Sequence, residues 1–142
     1  MHFMPNGFAA TATIERPAAE VWSVLTDWSR AGEWMSGIGE MTGETEPGAT
    51  LTFRARGKNR TTKVVALEPG RTLTLRSTQG GVRADYEYTL MPLDDGRTEA
   101  TLSAECVMAG TAWRLFGGII RSAMRRADSG QMDALKHVVE AG

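Results

Sequence analysis

Residues 17–38, PAAEVWSVLTDWSRAGEWMSGI, decide how this chain is read. Pro17 suits the first position of a helix, where its missing N–H would have no partner anyway. Glu20 then falls in the first turn, where a carboxylate favours the positive end of the helix dipole. Val21, Val24, Leu25 and Trp28 recur at i, i+3, i+4 and i+7, the apolar stripe of a helix that packs one face. A break near Asp27, which is expected to cap the next turn, precedes a second short helix over Ala31 to Met35. The Gly37-Ile38-Gly39 run ends it.

The pattern changes on both sides of this stretch. Phe8 to Glu15 alternates weakly and reads as a first strand that stops at Arg16-Pro17. On the other side, turn signals punctuate a long β-rich region. Glu46-Pro47-Gly48, Gly57-Lys58-Asn59, Glu68-Pro69-Gly70, Gly80-Gly81 and Asp94-Asp95-Gly96 separate strands over Thr50–Arg56, Thr61–Leu67, Thr72–Ser77, Val82–Leu90 and Thr98–Met108. Strands joined only by short turns make an antiparallel meander. After Gly110, Thr111 is read as the N-cap of a last helix of about thirty residues, which would span ~45 Å. Trp113, Phe116, Ile120, Met124, Ala127, Leu135 and Val138 recur along it at helical spacing. Gly117-Gly118 in its first turns is expected to mark close packing against a strand, or a slight bend.

Length and composition allow one domain over residues 1–142, with its core at about 8–140. With 42% hydrophobic and 23% charged residues the chain is near the average of soluble globular proteins, so no staple is needed. A formal net charge of −1 gives no general attraction to nucleic acid or anionic lipid. The lone cysteine, Cys106, has no partner for a disulfide or a zinc motif, which points to a reduced, cytoplasmic setting. No signal peptide is expected at the N-terminus, and no window of eighteen apolar residues suggests a membrane span.

Strand alternation sorts the side chains onto two faces. One face carries Leu51, Phe53 and Ala55; Leu73, Leu75 and Ser77; Val82, Ala84, Tyr86, Tyr88 and Leu90; and Ala100, Leu102, Ala104, Cys106 and Met108. The other carries Arg54, Arg56, Arg76, Arg83, Asp85, Glu87, Glu99 and Glu105, the arrangement a one-side-wet sheet requires. The small residues Ala55, Ala84, Ala100 and Ala104 on the apolar face leave volume that one helix does not have to fill. Any cavity there is apolar, with Tyr86, Tyr88, Ser77 and Cys106 as its polar groups.

Catalytic signals are sparse. His2 lies at the N-terminus, and His137 lies near the end of the last helix, where it suits the dipole. No Ser-His-Asp set, phosphate loop, dinucleotide fingerprint or HExxH motif is present. Neither a metal site nor a cofactor is expected. Tyr86 and Tyr88 are the candidate catalytic groups, able to polarise a ketone while the cavity confines a flexible chain. Glu33 is placed near the cavity mouth, and Arg121, Arg125 and Arg126 on a solvated face of the last helix.

The order of strand, two short helices, meander and long C-terminal helix resembles the START-like, Bet v 1-like helix-grip superfamily. Within it the chain is similar to the bacterial polyketide cyclase/dehydrase and lipid-transport group. The stretches that carry the likeness are IERPAAEVWSVLTDWSRAGEW, EPGATLTFRARG and VVALEPGRTLTLRS. One departure is that Trp34 is followed by Met35-Ser36-Gly37, where that group often has a proline-containing turn. The resemblance implies an α+β helix-grip fold, a curved antiparallel sheet of about seven strands around a long C-terminal helix. It implies a cavity between sheet and helix that binds a lipid, polyketide or isoprenoid-like molecule. The expected ligand-binding residues are Trp34, Met35, Ile38, Phe53, Leu75, Ser77, Tyr86, Tyr88, Leu102, Ala104, Cys106, Phe116, Ile120 and Met124. The expected partner is a hydrophobic small molecule rather than nucleic acid, and a homodimer is compatible with the sequence. Two alternatives stand beside this: a polyketide cyclase, aromatase or dehydratase using the tyrosines, and a regulatory protein-interaction module.

Overall fold

The first strand, β1 (Gly7–Ile14), leads through Arg16-Pro17 into helix α1 (Ala18–Leu25). Pro17 sits one position earlier than the sequence suggests. Its ψ of 153° is extended, so it flanks the helix as N-cap, and its carbonyl accepts the N–H groups of Glu20 and Val21 at 3.0 and 3.2 Å. The computed structural model describes residues 7–79, 81–108, 122, 125, 126 and 128–142. Val21 and Leu25 bury the inner face of α1.

The second helix is a 3₁₀ turn over Trp28–Glu33, three residues ahead of the expected Ala31 to Met35. It starts early because Trp28 is pulled into the core, its indole N–H donating to Thr45 Oγ1 at 2.9 Å. Asp27 does not cap this turn with its side chain; its carboxylate accepts the Ser29 hydroxyl at 2.6 Å. Gly32 is placed where a Cβ would lie 2.8 Å from the Ile38 carbonyl oxygen, so only glycine lets the next strand pass so close.

Strands β2 (Ile38–Thr42), β3 (Thr50–Ala55), β4 (Lys58–Glu68), β5 (Thr72–Gln79), β6 (Val82–Pro92) and β7 (Thr98–Met108) complete one seven-stranded sheet in the order β1-β7-β6-β5-β4-β3-β2, with every pairing antiparallel. The β3–β4 hairpin turns on Arg56 and Gly57, with φ of 54° and 75°, the left-handed pair a two-residue turn demands. The alternation read from sequence holds in the register: Leu73 faces Tyr88, Leu75 faces Tyr86 and Ser77 faces Ala84 across β5 and β6. Arg76 lies on the opposite face, where its guanidinium holds Asp85 through bonds of 2.8 and 3.0 Å. This is an α+β helix-grip fold.

The C-terminal region departs from one uninterrupted helix. Among the described residues, helical hydrogen bonding runs to Ser129, whose N–H donates to the Arg125 carbonyl at 2.9 Å. A turn at Ser129-Gly130 follows, and helix α2 (Gln131–Ala141) starts anew. Serine and glycine are weak helix formers, glycine by ~1 kcal/mol against alanine, so an interruption there is inexpensive. Trp113, Phe116, Gly117-Gly118, Ile120, Arg121, Met124 and Ala127 lie outside the described residues.

Helix α2 packs on β1, α1 and β7, burying Met132, Leu135 and Val139 against Ile14, Leu25, Ala100 and Leu102. Its C-terminal half is also latched by polar contacts. Lys136 Nζ donates to the Thr13 carbonyl at 2.6 Å and to Glu140 Oε2 at 2.7 Å, while Glu140 accepts the Glu15 N–H at 2.8 Å. Arg16 reaches the Glu140 carbonyl at 2.9 Å, and the buried Thr98 hydroxyl donates to the Arg16 carbonyl at 2.8 Å.

Candidate functional site

The sheet is closed over by α2 and α1 on its β1–β7 side, but towards β3, β4 and β5 the apolar face stays open to an internal hollow. This cavity has a volume of about 250 Å³. A water molecule's share of the liquid is ~30 Å³, so the space exceeds a few waters, and it approaches the ~300–1,000 Å³ of small-molecule sites.

Its apolar wall comes from four places. Met35 and Ile38 enter from the segment after the 3₁₀ helix and the start of β2, and Met41 follows on β2. Phe53 projects from β3, Leu75 from β5 and Ala84 from β6. The two methionines and the isoleucine sit where the chain leaves a helix for a strand, and methionine's unbranched chain fits such irregular ground. A small polar spot on β4 and β5 interrupts this wall, where the Ser77 hydroxyl donates to Thr62 Oγ1 at 3.0 Å.

The polar end is a four-membered network. Tyr86 Oη donates to Asp128 Oδ2 at 2.6 Å, and Tyr88 Oη donates to Gln131 Oε1 at 2.7 Å. Gln131 Nε2 then donates to Asp128 Oδ1 at 3.0 Å, closing the chain. Asp128 and Gln131 stand on either side of the Ser129-Gly130 turn, so the interruption of the helix is what brings both into one line above β6. Asp128 also lies just before the N-terminus of α2, where a carboxylate is favoured by the helix dipole.

Burial raises the Tyr86 phenol far above its ordinary range, and the neighbouring Asp128 carboxylate adds to the effect. The fully enclosed Tyr88 phenol is raised in the same way, first by burial and then by Asp128, with the Gln131 bond opposing. Both phenols therefore stay protonated through the physiological range. Each has its one O–H committed to Asp128 or Gln131, which leaves the oxygen lone pairs to accept. Among the described residues of this wall Asp128 is the one charged group, and no cation is paired with it.

Of the residues expected from sequence, Met35, Ile38, Phe53, Leu75, Ser77, Tyr86 and Tyr88 come together on this wall. Trp34 stands behind it, 3% exposed, its ring edge-on to Tyr88 at 5.7 Å between centroids and 89° between planes. The Trp34 indole N–H is the one buried side-chain polar atom without a partner among the described residues. Leu102, Ala104 and Cys106 are fully buried on β7 beside Tyr88, Tyr86 and Ala84, but they are not part of the wall. Burial pushes the Cys106 thiol up, which suits an inert packing group. Phe116, Ile120 and Met124 lie outside the described residues. Glu33 is paired with Arg30 at 3.0 Å at the surface and does not face the cavity.

Five wall residues are not among the expected ligand-binding residues: Met41, Thr62, Ala84, Asp128 and Gln131, of which Ala84 is read from sequence only as a small residue on the inward face. Gln131 carried a signal. It falls between Ala127 and Leu135 at intervals of four, a polar amide within an apolar stripe. Thr62 sits on β4, where a bulge between Val64 and Ala66 breaks the alternation.

A larger depression of about 500 Å³ lies on the outer face, bounded by Thr74, Asp85, Glu87, Ser103 and Glu105, with Arg125. It is a solvated charged surface, and Asp85 is already held by Arg76. The inner cavity is the better small-molecule site, because it joins an apolar wall to a few convergent polar groups.

Comparison with known proteins agrees with this geometry. The sequence profile of the family described as polyketide cyclase / dehydrase and lipid transport matches residues 7–140. The fold is similar to the Zhui aromatase/cyclase of a Streptomyces species, with a TM-score of 0.74 and 20% identity over 94% of this chain and 92% of that one. It is similar to a Polyketide_cyc-like protein of Corynebacterium glutamicum, with a TM-score of 0.65 and 23% identity over 97% and 94%. It is also similar to truncated norcoclaurine synthase of Thalictrum flavum, with a TM-score of 0.67 and 13% identity over 93% and 91%. At such identities the likeness is one of fold. No curated protein matches the chain.

Proposed function

The chain belongs to the polyketide cyclase/dehydrase and lipid transport family, and from that premise we propose that it holds one hydrophobic or amphipathic small molecule in the cavity between β3–β6 and the C-terminal helical region. The observation that carries this reading is the hollow of about 250 Å³, apolar on three sides and ended by the Tyr86–Asp128–Gln131–Tyr88 network. Sequestering an apolar body contributes ~25 cal/mol per Å² of surface removed from water, and the network gives the guest one orientation. Such a cavity suits a lipid fragment, a polyketide or an isoprenoid-like compound, bound without a metal or prosthetic group taking part.

Native mass spectrometry after incubation with a lipophilic panel, together with fluorescence of Nile red, tests this. The expected result is one equivalent bound per chain, displaced by competing apolar molecules. Absence of binding for every apolar probe would end the proposal. Ala84→Leu is the matching control, since Ala84 lies on the wall and a larger side chain there fills the hollow.

One contact favours a second reading, cyclisation or dehydration of a confined chain. The Tyr86 phenol lies 2.6 Å from the Asp128 carboxylate, a pairing that could steer an enolising ketone. On this reading the Tyr86 proton would turn from Asp128 to the ketone oxygen as the chain enters, so that Tyr86 acts as a hydrogen-bond donor rather than an acid. On this reading Tyr86→Phe abolishes turnover while affinity changes by only a few fold.

A further inference from the structure

Resting on the ligand-binding reading above, we infer that the cavity selects a guest whose polar end donates hydrogen bonds, an alcohol or an ammonium group, and that it discriminates against carboxylic acids. Among the described residues, the polar atoms left unused around the hollow are predominantly acceptors. The Tyr86 and Tyr88 protons already point at Asp128 and Gln131, so only the oxygens of the phenols remain for a guest. Asp128 accepts two bonds, one on each oxygen, and a carboxylate has about four acceptor sites. The Ser77 proton is likewise engaged by Thr62. On the donor side the Thr62 hydroxyl and the second N–H of Gln131 remain, both neutral and weak beside a charge.

Charge acts in the same direction. No arginine, lysine or histidine is among the described residues of the wall. A guest carboxylate at the polar end would face Asp128 with no cation from the described residues between them, in surroundings where like charges repel far more strongly than in water. An ammonium group there would find a counter-charge that no described residue supplies to Asp128, and a hydroxyl would give its proton to Asp128 while accepting from Gln131. The acid-headed members of the hydrophobic world, free fatty acids among them, are therefore disfavoured guests.

The test is displacement of Nile red by four eight-carbon molecules that differ only at one end: octane, octan-1-ol, octylammonium and octanoate. Octan-1-ol or octylammonium should compete at concentrations at least tenfold below octanoate. Whichever of the two leads identifies the head as hydroxyl or cationic, and either result supports the inference. Asp128→Asn keeps the side-chain size and an oxygen for Tyr86, and it should bring octylammonium and octanoate to within about threefold of each other, with circular dichroism unchanged. If octanoate equals or exceeds the other two on the unaltered chain, the inference falls. If all four compete equally, the inference falls while the ligand-binding reading survives. If Nile red and all four fail to bind, both fall together.

Discussion

Ala104 and Ala84 lie two positions apart across the same β6–β7 pairing, on the same face of the same sheet, and they have opposite consequences. Ala104 pairs with Phe8 and Tyr86 on its neighbouring strands, has no exposed surface and belongs to the buried core cluster. Ala84 pairs with Ser77 and Cys106 on its neighbouring strands and stands on the wall of the hollow. A small residue thus makes room in both places, but in one the side chains of the core take up the room and in the other nothing in the described structure does. The decisive difference is where α2 is latched. Lys136, Glu140 and Arg16 tie its C-terminal half to β1 and the residues after it, whereas the polar contacts of the described residues at its start run from Gln131, and from Asp128 just before it, to the two tyrosines of β6.

The largest effect that tests this contrast comes from emptying each half. Leu135→Ala removes a wholly buried side chain from the filled half and is expected near the top of the ~2–5 kcal/mol range for such truncations. Leu75→Ala, whose side chain already borders empty space, is expected near the bottom of it. Urea midpoints at unchanged m-value measure both. The converse substitutions sharpen the comparison. Ala104→Leu overpacks and is expected to destabilise by ~1–3 kcal/mol, while Ala84→Leu is expected to change stability by less than ~1 kcal/mol and to remove Nile red binding.

Next come the two phenols. Tyr88→Phe leaves the buried Gln131 carbonyl without its donor and is expected to destabilise by ~1–3 kcal/mol. Tyr86→Phe is expected to do less, because Asp128 is only half-buried and water can replace the phenol. Thermal unfolding separates the pair.

The smallest effect is at the latch. The Glu15 N–H, and then Lys136, hold the Glu140 carboxyl below its usual value. A depressed value in the folded state means stabilisation that is present above the unfolded value of ~4.3 and is lost as pH falls through the folded one. Glu140→Gln should therefore lower the melting temperature at pH 7, and its curve should rejoin that of the unaltered chain in strong acid.

How much of this was legible before the structure follows from the same contrast. Alternation in β3, β5, β6 and β7 was readable because charges such as Arg76 and Asp85 occupy one parity and apolar groups the other, which is why Phe53, Leu75 and Tyr86 were placed on the correct face. Strand β2 was not located from its own residues, since Gly39 and Gly43 flank a stretch too short to show a period. The polar end of the site was missed for a different reason. Asp128 drew no reading from the sequence, because nothing local announces that a turn at Ser129-Gly130 will aim it at a tyrosine 42 residues away in sequence. Likewise, alternation alone could not say that Leu102, Ala104 and Cys106 would be buried off the wall, because that depends on where a helix lands.

The placement of Trp34 carries a last consequence. Its ring rests against Tyr88, one layer behind the hollow, and its nitrogen finds no acceptor among the described residues. Indole emission shifts in colour and intensity with the polarity around it, so a guest arriving beside Tyr88 alters the light this residue gives. Occupancy is thereby legible in the molecule's own glow, with no added dye or tag.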